Sequence, residues 1–216
     1  MNRFAIMALS GLALAGCSDP KDASKRNFEK VINEYIAQHP PCIVLPNSNA
    51  APANTQPSDW PRYISIDDSS PIETPLRARY EALVQAGLAN GTDGTVQTQR
   101  LFTSDTVKVR IYQLTDMGKA AASEATGVWG GSGTQLCFGK PEVKSVKLFT
   151  EPAPSGAGTT ISQVDYSFTV NDLPSWASNA AMTTAYPELK TIVDGPVDDK
   201  AVLYLTNEGW KFFDGK

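Results

Sequence analysis

The sequence predicts an α+β fold: an N-terminal helix–hairpin subdomain, then an antiparallel sheet packed with one helix. Three observations carry this. Apolar residues recur at helical spacing over 28–36 and 76–88. Over 107–112 and 161–170 they alternate instead, with the period of a strand. Between these patterns lies Gly127-Val128-Trp129-Gly130-Gly131-Ser132-Gly133, four glycines in seven residues, which divides the chain. The expected division is a leader over 1–16, a tether over 17–23, a first subdomain over 24–126, a Gly-rich linker over 127–134 and a second subdomain over 135–216.

Ser24 opens the first helix as its N-cap, and Phe28, Val31, Ile32, Tyr35 and Ile36 form one apolar stripe. Pro40 and Pro41 end it, since neither donates a backbone N–H. Cys42 to Leu45 is a short apolar run bounded by prolines, which suits an edge strand. Residues 46–57 are rich in Pro, Asn, Ala and Ser and read as a loop. Tyr63 to Ile66 reads as a brief strand. Thr74 is the expected cap of a second helix, with Pro75 in its first turn and Leu76, Tyr80, Leu83, Val84 and Leu88 on its buried face. Asn90-Gly91 and Asp93-Gly94 read as its stop. Val96–Phe102 and Val107–Leu114 then form a hairpin turning at Thr103–Asp105, and Thr115 caps a short helix reaching Ser123.

Beyond the Gly-rich run, 135–138, 143–150 and 161–170 read as strands, with a turn over 151–159. A helix carries Trp176, Ala180, Ala181 and Tyr186, Pro187 kinks or ends it ahead of a further turn with Leu189, Ile192 and Val193, and a hairpin over 201–213 closes the chain. No internal repeat is visible.

The N-terminus holds Arg3, then an apolar run from Phe4 to Ala15, then Leu14-Ala15-Gly16-Cys17. That run is about 12 residues, short of the roughly 20 a spanning helix needs, and it has the length of a signal-peptide core. The segment resembles the leader of bacterial lipoproteins. The resemblance implies cleavage between Gly16 and Cys17, a diacylglyceryl thioether on Cys17 and a further acyl chain on its amine. Two chains give stable anchoring without a span. Ser18, in place of aspartate, implies transfer to the inner leaflet of the outer membrane. The competing readings are an ordinary secretory signal or an uncleaved anchor.

The mature chain would have 200 residues and, without Arg3, a net charge of −5. It lacks the basic footprint of a nucleic-acid binder and a polybasic run for anionic lipid. With Cys17 acylated, Cys42 and Cys137 remain, and an oxidising compartment invites a disulfide between them. A metal pair or redox pair lacks support: there is no C-x-x-C, and His39 is the sole histidine.

Leu83 to Leu88, a hairpin, and then Tyr112 to Lys119 ("YQLTDMGK") are similar to the wing region of MarR-like winged-helix proteins, over about 40 residues. The resemblance implies a local winged-helix-like shape for the first subdomain. It does not imply DNA reading, because the helix before the hairpin offers only Arg77 and Arg79 against Glu81. Fold alone does not give function.

No residue set forms a catalytic constellation. The Gly-rich run matches neither a P-loop nor a dinucleotide fingerprint, and Ser132 lacks the closing glycine of a nucleophile elbow. His39 lies at a helix C-terminus, where capping explains it. Asp67-Asp68 and Asp198-Asp199 read as solvated turns. No cofactor and no metal are expected. Trp60 and Trp129, in loop-like surroundings, are candidate partner contacts. The expected function is a non-enzymatic binding, assembly or accessory module on the periplasmic face of a membrane, with another envelope protein as partner. The alternatives are a periplasmic hydrolase using two carboxylates on wall glycans and a cytoplasmic winged-helix regulator.

Overall fold

In the computed structural model, residues 19–56, 58–67, 71–99, 104–126, 132–156 and 158–215 are described. Helix α1 (Lys25–Ile36) starts where Ser24 accepts a hydrogen bond from the Asn27 amide, and it buries Phe28, Ile32 and Ile36. Strand β1 (Cys42–Leu45) and strand β2 (Arg62–Ser65) follow. Helix α2 (Glu73–Gln85) begins before the expected Thr74 cap, at Ile72, whose backbone is already helical. Pro75 is tolerated in its first turn, where its missing N–H would have no intrahelical partner. Gly87, at φ +75°, closes α2, with the Leu88 amide reaching back to the Leu83 carbonyl at 2.8 Å.

Strands β3 (Ala89–Gln99) and β4 (Ser104–Leu114) pair along their whole length. Asn90-Gly91 and Asp93-Gly94 are therefore strand, not turn. The physical reason is cross-strand room: a Cβ on Gly91 would meet the Arg110 guanidinium at 3.0 Å, and one on Gly94 would meet Ile111 at 2.9 Å. Helix α3 (Asp116–Ala121) starts at Thr115, whose hydroxyl accepts from the Gly118 amide. It stops before the expected Ser123, because β5 (Ala122–Thr126) pairs with β6 (Ser132–Cys137). Then come β7 (Lys140–Phe149), β8 (Ala153–Pro154), β9 (Thr160–Asn171), helix α4 (Ala180–Ala185), helix α5 (Pro187–Val193), β10 (Val197–Thr206) and β11 (Gly209–Phe212). Trp176 lies in a turn ahead of α4, which Asn179 caps through the Ala181 amide.

The α+β class holds, with more strand than helix. Among the described residues, three antiparallel sheets run β1-β6-β5, β2-β4-β3 and β11-β10-β9-β7, with β8 also on β9. Pro141 sits in β7, at the edge of the third sheet, where a missing ladder donor costs least. The helix that covers this sheet is α1, from the opposite end of the chain. Its stripe packs on Val143, Val146, Val164, Tyr166, Leu203 and Trp210. The other sheet face is polar, with Lys147–Asp198 and Lys200–Asp165 ion pairs.

The winged-helix resemblance does not extend to the fold. Helix, hairpin and capped helix do follow one another, but α1 lies on the third sheet and α2 packs against α4. Among the described residues, no helix–turn–helix precedes the hairpin. A second core gathers Tyr80, Leu83, Tyr112, Leu136, Trp176, Tyr186 and Leu189 around α2, α4 and α5. The 24–126 and 135–216 segments share the first sheet, since β1 and β5 both pair with β6. Residues 127–131 of the Gly-rich run lie outside the described residues; their flanks pair as Thr126 with Ser132.

Candidate functional site

A cleft of about 1370 Å³ opens between the 48–55 loop and the second sheet. The loop is laid along β2. The Ala50 amide bonds the Tyr63 carbonyl at 3.3 Å, Ser48 Oγ accepts from the Tyr63 amide at 3.0 Å, and Asn49 Oδ1 accepts from the Ser65 amide at 3.2 Å. These contacts occupy an edge that would otherwise offer open N–H groups. Ala50 of the loop packs on Val96 and Val109 of the sheet in a small apolar cluster. Asp67, Glu73, Thr98, Thr106 and Lys108 supply polar groups to the walls. Burial, and next the neighbouring Asp67 charge, push the Glu73 carboxyl above the usual carboxylate range. The cleft thus holds a carboxyl with a raised pKa and the exposed Asp67 side chain.

A buried polar knot ties the second sheet to the first. Arg62 has no exposed surface; it donates to Thr134 Oγ1 at 3.0 Å and to Asn47 Oδ1 at 3.3 Å, and lies 5.2 Å over the Trp60 ring. Trp60 Nε1 donates to the same Thr134 oxygen at 2.9 Å, and its ring meets the edge of Tyr80. Trp60 is therefore engaged with the fold. Burial lowers the Arg62 pKa.

Cys42 and Cys137 stand opposite each other in the β1–β6 register and are joined by a disulfide. His39 follows α1; its Nδ1 lies 2.8 Å from the Tyr35 carbonyl and its ring stacks on Tyr35. Asp198 and Asp199 lie in β10 rather than a turn, because they pair in register with Ser167 and Tyr166 of β9. Gly16, Cys17, Asp68 and Trp129 lie outside the described residues. Among the described residues, no three His, Cys, Asp or Glu side chains group as metal ligands, and no helix is long and apolar enough to cross a membrane. Asp67 and Glu73 follow no local pattern that marks them as a pair; their shared cleft is a feature of the tertiary structure. No protein-family model, curated protein or solved structure matches this chain.

Proposed function

We propose that this chain is a cell-envelope lipoprotein: a non-enzymatic binding or assembly module held by acylated Cys17 on the periplasmic face of a membrane, with the outer membrane's inner leaflet as its address. The observation that carries it is Leu14-Ala15-Gly16-Cys17 behind a short apolar run. The Cys42–Cys137 disulfide supports it, since such bonds persist in oxidising compartments. The open, polar-walled cleft beside the 48–55 loop is the surface offered to another envelope protein. Labelled palmitate should enter the wild-type chain and not Cys17→Ala, and only the former should sediment with membranes. An intact, unlabelled N-terminus by mass would refute the anchor.

One observation favours a second reading, a hydrolase of wall glycans. Burial raises the Glu73 pKa in the direction a general acid needs, and Asp67 lines the same cleft as a second carboxyl. Purified protein should then release reducing ends from a wall polymer, and Glu73→Gln should abolish this. No product from the wild type removes that reading.

A further inference from the structure

The segment between the proposed anchor and the body is itself held down. Trp210 Nε1 donates to the Lys21 carbonyl at 3.0 Å. Asn27 Nδ2 donates to the Asp19 and Asp22 carbonyls at 2.7 and 2.9 Å. The Asp22 amide closes a turn on the Asp19 carbonyl at 2.9 Å. Gly209, at φ +123°, comes so near that a Cβ there would lie 2.9 Å from the Pro20 carbonyl oxygen. The side chains of residues 19–22 are exposed, so it is the backbone that is gripped.

We infer that residues 19–23 form a docked strap, and that the face it crosses, the start of α1 with the β10–β11 turn, rests on a lipid surface. The inference rests on acylation of Cys17. A free tether from Cys17 to Ser24 would extend about 24 Å and let the body turn in any direction. With Asp19 held, two peptide steps remain, about 7 Å at full stretch. The acyl chains then enter the bilayer beside Pro20 and Gly209, and that face cannot turn away. Lys21, Lys25, Arg26 and Lys211 are interspersed there with Asp22, Glu29 and Glu208, so the face is no polybasic patch. The acyl chains supply the affinity; the strap supplies the orientation. None of these residues lines the 48–55 cleft, which stays open to a partner.

The test uses the full chain, acylated and bound to phosphatidylcholine vesicles that contain a headgroup-nitroxide lipid. A fluorophore is placed on Glu208→Cys or, for reference, on Thr95→Cys in β3. Quenching should be several-fold stronger at 208 than at 95, and a long Gly-Ser spacer between Ser18 and Asp19 should equalise the two. Equal quenching without the spacer, in protein shown to carry palmitate, overturns the strap and leaves the anchor standing. If no palmitate enters, the anchor and the membrane face both fall. The strap is then judged alone, in Cys17→Ala, by hydrogen exchange of the Asp22 amide. Protection that Asn27→Ala abolishes supports it; exchange at the free-peptide rate overturns it.

Discussion

Arg62 is the side chain on which the meeting of two sheets depends. Its guanidinium satisfies Thr134 and Asn47 and stacks on Trp60 while fully out of water. Arg62→Ala removes the bonds to Thr134 and Asn47 and the stacking on Trp60 from a fully buried position, and should cost about 1–3 kcal/mol, read from urea unfolding. Arg62→Lys should recover little, because an ammonium cannot reproduce a planar fork that also stacks. Glu73 gives a signed dependence on pH. Its folded-state pKa is raised, so the folded chain resists ionisation that the unfolded chain accepts. Well below the ordinary value of 4.5, both states are protonated and nothing is lost. As pH climbs through 4.5, the wild type loses stability that Glu73→Gln keeps. The urea midpoint of the variant should gain on the wild type between pH 4 and pH 7; a constant gap would contradict the assigned environment.

At the level of elements, the Cys42–Cys137 bond spans a sequence separation of 95 residues. Loop entropy puts its contribution at up to about 4–5 kcal/mol. Denaturation with and without reductant should differ by up to that amount, and Cys42→Ser with Cys137→Ser should behave like the reduced form. The elements also show what could be read in the amino acids. The α1 stripe and cap, the β9 alternation and the proline-bounded β1 all lie in their local pattern, because each buries one regular face. The start of β3 does not. Asn-Gly and Asp-Gly are turn signals by local chemistry, and their role here is to leave room for Arg110 and Ile111 on β4. That requirement belongs to the partner strand. The choice of α1 as the helix covering the third sheet was equally hidden, since a stripe records that a face is buried and not against what. The same holds for the candidate cleft. Its loop is legible as a loop, but that Asp67 and Glu73 line one cleft belongs to the tertiary structure.

Across the whole molecule, one strand serves two cores. Val164 and Tyr166 of β9 pack under α1, whereas Val170 belongs with α2, α4 and α5. Phe168 touches both. The first sheet likewise draws strands from either side of the Gly-rich run. Residues 24–126 and 135–216, expressed apart, should each fail to give a dispersed amide NMR spectrum, and the intact chain should melt in one calorimetric transition. Two resolved transitions would contradict this sharing. A practical opening follows from the pairing of Thr126 with Ser132. Those strand ends already meet, so lengthening the chain between them charges only the slow, logarithmic entropy of a larger ring. A reporter peptide spliced there should leave the melting temperature almost unmoved, giving a handle for following the protein in the cell.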